Sequence, residues 1–223
     1  MLDPSSKPAT PQQAVVMVHG LWMGGWVFGL LAQHLKQDGL PALAFSYPSM
    51  RETLSQNAQR LARFTAGLHV PTIHFVGHSL GGLLVLKTLL DHPEQRPGRV
   101  VMLGSPFKDS YAARRLASSD IGKTLLGKSL LEWMQAGEPI RCPAREIGVI
   151  AGSRNIGMGQ IVVPGLPHPN DGTVTVEETR VTGATDHIVL PVSHSGMLLS
   201  LRVANQVSAF LKQGQFIHTA ALT

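Results

Sequence analysis

Ala14 to Val18 (AVVMV) is apolar at every position and rich in β-branched residues. A strand half-exposed to water alternates apolar with polar residues, so an uninterrupted run of this kind predicts a strand buried on both faces, as in a parallel sheet. Pro41 to Phe45 (PALAF), Thr72 to Val76 (TIHFV), Arg99 to Leu103 (RVVML) and Glu146 to Ala151 (EIGVIA) read the same way, with His187 to Val192 as the last strand. Helical spacing fills the gaps: Phe28, Leu31, Ala32 and Leu35 before Asp38-Gly39, then Leu54, Ala58, Leu61 and Leu68, then Leu80 to Leu90. Strands joined by helical crossovers make an α/β fold, a mostly parallel central sheet with helices on both faces.

Phe107 to Ile140 breaks that rhythm. It holds Leu125, Leu126, Leu130, Leu131 and Trp133 and reads as an insertion or small lid, spanning 107–140, over the carboxyl edge of the sheet. An amphipathic helix from Leu198 to Leu211 closes the chain. The expected organisation is a lead-in over 1–13, one domain over 14–213 and a tail over 214–223.

With 223 residues, 43% of them hydrophobic and 15% charged, the chain is long enough to bury one core and too apolar for disorder. No apolar run reaches the 18 residues a membrane span needs, since Lys87 interrupts the longest, so no transmembrane segment is expected. The formal net charge of +5 comes from dispersed Lys and Arg, densest at Arg114-Arg115, without the basic runs of a nucleic-acid binder. The single cysteine, Cys142, has no partner for an intramolecular disulfide or a thiolate metal site and reads as a packing residue. The N-terminus, MLDPSSKPATPQQ, lacks the basic and apolar regions of a signal peptide, which points to the cytoplasm. VHGLWMGGW after the first strand lacks glycine-rich dinucleotide spacing, and no metal-spaced cluster stands out, so no cofactor or metal is expected. Oligomeric state is not legible.

The chemistry lies between TIHFV and LGGLLVLKTLL. Gly77-His78-Ser79-Leu80-Gly81 is a G-x-S-x-G at a strand-to-helix junction, the context in which a serine is held on a sharp, strained turn above the sheet. The flanking glycines let neighbouring backbone approach, and the helix N-terminus offers free N–H groups to a developing oxyanion.

GHSLGG, together with the stretch from VVMVHG to SHSGML, resembles the α/β-hydrolase family and its bacterial lipases and esterases. The resemblance implies a serine carboxylic ester hydrolase acting through an acyl-enzyme on a small-molecule or lipid ester. It makes the Leu21 and Leu80 amides the oxyanion donors and His19 an organiser of the first loop. Chain order in that fold is serine, acid, histidine, which leaves His168, His187, His194 and His218 as candidate bases. His194 follows the last strand among small residues (PVSHSGML) and is the choice. His187 begins a strand, His168 sits in a proline-bracketed loop and His218 in the tail. Asp171, in a turn (DGTV) resembling the family's acid turn, is the acid. Its rival Asp186 lies at the amino end of the strand leading to His194, roughly 15 Å away at about 3.3 Å per residue. Asp171 also fits an ordinary Asp-Gly turn. Glu177 and Glu178 read as solvated. Trp22, Met23 and Trp26 are candidate pocket residues that also suit a core. An acyltransferase or thioesterase with the same triad, or a non-catalytic binding module, are the alternatives.

Overall fold

A computed structural model describes residues 12–136, 143–156 and 165–218. Cys142 and the end of the insertion, 137–140, lie outside the described residues. Six strands, β1 (Gln13–Val18), β2 (Ala42–Phe45), β3 (Thr72–His78), β4 (Val100–Leu103), β5 (Ile147–Gly152) and β6 (Asp186–Leu190), form one sheet in the order β2-β1-β3-β4-β5-β6. Every neighbouring pair is parallel.

Burial on both faces is visible residue by residue, because successive side chains of a strand point to opposite sides. Val16 and Val18 of β1, Ile73 and Phe75 of β3, Val100 and Met102 of β4, and Ile147 and Val149 of β5 enter one core. Val15, Met17, Val76, Val101, Leu103 and Ile150 enter the other. The first core is covered by α2 (Leu54–Ala66) and α3 (Leu80–Asp91), the second by α1 (Gly29–Gln37) and α6 (Leu201–Gln213).

The local signals act as their chemistry requires. Thr53 and Gln56 form a reciprocal capping box at the start of α2. Gly39, with φ of 77°, lets the chain leave α1 and turn into β2. The last elements differ from the sequence expectation by a few residues. β6 ends at Leu190, and the closing helix starts at Leu201 rather than Leu198. The intervening Gly196–Leu199 forms a 3₁₀ turn, and the Ser200 hydroxyl accepts from Val203 N–H to start α6 afresh.

The insertion consists of α4 (Tyr111–Ala117) and α5 (Asp120–Gln135), capped by the hydroxyls of Ser110 and Ser119. α5 is broken at Gly127, whose φ of 67° suits glycine and where a Cβ would lie 2.7 Å from the Met50 Cα. Beyond the break the helix is bolted to the segment leading into α2. Lys128 N–H donates to the Met50 carbonyl, the Ser129 hydroxyl to the Glu52 carbonyl, and Asn57 to the Ser129 hydroxyl, at 3.1, 2.7 and 2.9 Å. The Glu132 carboxylate accepts from both the N–H and the hydroxyl of Ser55, near the start of α2. Leu126 and Leu130 are buried in the core on that side, Leu131 and Trp133 partly so, whereas Leu125 is exposed.

Glu178 corrects the expectation of a solvated face. It is buried, and its carboxylate accepts the backbone N–H groups of Thr175 and of Tyr111 at the start of α4. Free donors at a helix N-terminus are worth this burial because each otherwise lacks an acceptor. Glu177, paired with Lys108 and Arg180, is exposed as expected. Among the described residues, no helix is long and apolar enough to cross a membrane.

Candidate active site

Ser79 joins β3 to α3 with φ of 53° and ψ of −123°, a conformation that costs a non-glycine residue of order 1–3 kcal/mol and persists where surrounding structure over-determines it. The surroundings do so here. Ser79 N–H donates to the Leu103 carbonyl at 2.8 Å, which ties the turn to β4. A Cβ on Gly77 would lie 2.4 Å from the Gly82 Cα, and one on Gly81 would lie 2.1 Å from the Val18 carbonyl oxygen. Both glycines are thus needed for close backbone approach. Leu80 opens α3, so its N–H has no intrahelical acceptor.

The loop after β1 lies against this turn: a Cβ on Gly20 would meet the Ser79 Cβ at 3.0 Å. His19 organises the loop from a fully buried position. Tyr47 N–H donates to its Nε2 (3.2 Å), which places the ring proton on Nδ1, and Nδ1–H donates to the Gly20 carbonyl (2.8 Å). The peptide between Gly20 and Leu21 is thereby oriented, and in a trans peptide the Leu21 N–H points opposite to that carbonyl. Tyr47 stacks on His19 at 4.4 Å and donates its hydroxyl to the His19 carbonyl, completing the clamp. Burial lowers the His19 pKa below the usual imidazole value, against the upward pull of the Gly20 carbonyl, and keeps the ring neutral.

Asp171 and His194 meet from the loops after β5 and β6. His194 Nδ1 donates to Asp171 Oδ2 at 2.7 Å, and His194 N–H donates to the Asp171 carbonyl at 2.8 Å. With its proton fixed on Nδ1, the imidazole presents a bare Nε2, the tautomer a general base requires. Asp171 is fully buried, and its other oxygen accepts Thr173 N–H and Val174 N–H at 2.9 and 2.7 Å. One side chain thus closes the Asp-Gly turn and pairs with the His194 ring. Gly104, where β4 ends, has φ of 56°, and a Cβ there would stand 3.0 Å from Asp171 Oδ2 and 3.2 Å from His194 Nδ1.

The other candidate bases lie elsewhere. His187 Nε2 is 3.2 Å from the Thr179 hydroxyl, and His168 is exposed with Nε2 3.3 Å from the Asn155 amide. His218 Nε2 lies 2.9 Å from both oxygens of Asp186, so the rival acid pairs with a histidine remote from Asp171. Trp22 and Trp26 are 56% and 83% exposed, which removes them from the core, while Met23 is half-buried against the α1 and α6 side. Trp22, with φ of 59°, is the one other described non-glycine residue besides Ser79 held at positive φ.

Sequence reasoning passed over His78, the variable position of G-x-S-x-G. It is fully buried, its Nε2 lies 3.0 Å from the His194 carbonyl, and its ring centroid is 4.7 Å from that of His194. The motif gives no signal for it, since a contact 116 residues away in sequence is set by the meeting of two loops. Tyr47, 28 residues from His19, escaped for the same reason. Among the described residues no group of His, Cys, Asp or Glu is placed to hold a metal ion.

Comparison with known proteins agrees with this architecture. A protein of Yersinia enterocolitica carrying the name "Putative carbamate hydrolase RutD" is 39% identical over 62 residues, 28% of this chain. The match takes in about a fifth of that relative's length, 22%. The Bacillus licheniformis lipase BlEst2 in its propeptide form superposes with a TM-score of 0.70 at 21% identity, over 99% of this chain and 55% of that one. The RedJ thioesterase of prodiginine biosynthesis in Streptomyces coelicolor gives 0.61 at 15% identity, over 95% and 91%. Identities this low report the fold alone. The family model described as "Alpha/beta hydrolase family" matches residues 15–154, from β1 through β5 and across the Ser79 turn, and the chain belongs to that family.

Proposed function

We propose that this chain hydrolyses carboxylic esters through an acyl-enzyme intermediate on Ser79. The observation that carries the reading is the buried Asp171–His194 pair at 2.7 Å, with the imidazole proton committed to Nδ1, packed against Gly104, whose neighbour Leu103 accepts the N–H of the strained Ser79. His194 Nε2 takes the Ser79 proton as Oγ attacks the ester carbonyl, and the Leu21 and Leu80 amides receive the oxyanion. Collapse breaks the carbon–oxygen bond to the alcohol, which leaves with the proton from His194. Water then attacks the acyl-serine by the same route, releasing the acid and restoring the hydroxyl.

The same apparatus serves a thioester or carbamate carbonyl, the groups named for two of the similar proteins, so the substrate class is set by the leaving group and pocket. The test is a matched panel of chromogenic ester, thioester and carbamate substrates, with fluorophosphonate labelling of the wild type and Ser79→Ala. Ester turnover fastest, with the adduct mapped to Ser79 and lost in Ser79→Ala, is expected. An adduct on another residue, or none, removes the assignment. Acyl transfer to an added alcohol or amine in preference to water would make the protein an acyltransferase.

A further inference from the structure

This inference rests on the acyl-enzyme reading and concerns what holds its base in place. His78 precedes the nucleophile in the chain, yet its ring points to the opposite partner, the loop of His194. A main-chain carbonyl can only accept, so Nε2 carries the ring proton and donates it to the His194 carbonyl at 3.0 Å. That leaves Nδ1 as a bare acceptor, buried and without a hydrogen-bond partner. The Nδ1 atom lies on the Gly20 side, 3.2 Å from where a Cβ of Gly20 would stand. His78 is therefore packed against the nucleophile turn, the base loop and the oxyanion loop at once.

We propose that His78 is a positioning residue for the base, holding the main chain of His194 by its Nε2–H and seating the His194 ring against its own. An imidazole suits this place better than an amide or a hydrocarbon. It supplies a donor at the reach the carbonyl needs, and a flat ring whose centroid lies 4.7 Å from that of the ring proposed to collect the proton, tilted at 48° to it. It also stays uncharged. The ionisable groups around it are His194, the Asp171 carboxylate and His19. Burial is the main cause that lowers its pKa, to about 3, with the His194 and His19 charges adding and the His194 carbonyl and Asp171 opposing. When His194 becomes imidazolium during acyl transfer, no second positive charge opposes it. A protonated His78 would put two cations with ring centroids 4.7 Å apart in a buried site.

The test compares His78→Gln, His78→Asn and His78→Phe with the wild type on a soluble short-chain ester. Gln carries an N–H at about the reach of the imidazole Nε2; Asn stops near the reach of Nδ1; Phe keeps the flat ring and loses the donor. With the His194 loop released, kcat for the Phe and Asn variants should fall about 10- to 100-fold while KM stays within about twofold, since misplacement of a catalytic group by about 1 Å costs about 10²-fold. His78→Gln should recover most of that loss. The deshielded Nδ1 proton of His194, read by proton NMR, should persist in the Gln variant and broaden in the Phe variant, a signature that loss of packing alone does not produce. Should Phe fail to fold by circular dichroism, the Gln and Asn pair decides. Equal kcat in Gln and Asn, or wild-type kcat in Phe, overturns the assignment. A wild type that is neither active on esters nor labelled at Ser79 overturns the acyl-enzyme reading first, and this assignment with it.

Discussion

The two carboxylate oxygens of Asp171 have separate partners. Oδ2 faces His194, and Oδ1 closes the turn by accepting from Thr173 and Val174. Asn at this position keeps an acceptor for the turn and loses the carboxylate, so Asp171→Asn should cost on the order of 10⁴ in kcat with little loss of stability. Asp171→Ala removes both, and urea unfolding should show a further loss of about 1–3 kcal/mol for the unsatisfied turn. Asp186→Asn should leave kcat near wild type. A second residue-level consequence concerns histidines held neutral. Burial lowers the pKa of His78 to about 3 and, joined by Arg99 and Arg145, that of His74 to about 4. Both lie below the unfolded value of about 6.5. The unfolded chain then binds more protons than the folded one below pH 6.5, so this contribution is complete above that pH and is lost as pH falls towards 4. Two such groups give a slope of up to about 2.7 kcal/mol per pH unit between pH 6 and 4.5, twice the 1.36 kcal/mol of one group. Urea midpoints measured across that range should fall accordingly, and His74→Gln should take away about half the slope. At this scale the sequence showed which residue types matter and where chain order puts them. It could not show that His78 reaches across to His194, because a contact between distant loops leaves no local pattern.

Among the elements, the strands and the Ser79 turn were the most legible, since each is dictated by neighbours within a few residues: continuous apolar runs for the strands, flanking glycines for the turn. The insertion was the least. Its leucines give helical spacing, but which of them face the core depends on the break at Gly127 and on the bolts from Ser129 and Glu132 to the start of α2. Those bolts fix its second half to the start of α2. Leu125 precedes the break and is 43% exposed, whereas Leu126 is 1% exposed in the core. We therefore expect Leu125→Ser to lower kcat/KM for long acyl chains and spare acetate esters, each methylene that loses its apolar contact being worth about 0.8 kcal/mol. Leu126→Ser should instead lower stability by about 2–5 kcal/mol with no chain-length dependence, as burial of an unsatisfied hydroxyl adds to the lost packing. Parallel losses on acetate and long-chain esters in a folded Leu125→Ser protein would take this helix out of the substrate site.

For the molecule as a whole, the sheet order places β3 and β4 at the centre, β5 next to the edge and β6 at the edge, and the proposed catalytic groups follow β3, β5 and β6 in turn. The alternation of strands and helices made the parallel α/β layout readable from the sequence, whereas the order of strands within the sheet is set by long-range pairing and left no local pattern to read. The position of β6 at the rim carries a consequence for synthesis. As the chain emerges from the ribosome, the Ser79 turn and the Leu21 and Leu80 amides proposed to receive the oxyanion are made more than a hundred residues before His194 appears. On the proposed reading, a growing chain exposes an inert serine, and chemistry begins when the last edge strand docks and delivers His194 to Asp171. Chains arrested before β6 should be refractory to a fluorophosphonate, and chains arrested beyond α6 should react. Onset of labelling along a series of stalled lengths would time the closing of the sheet.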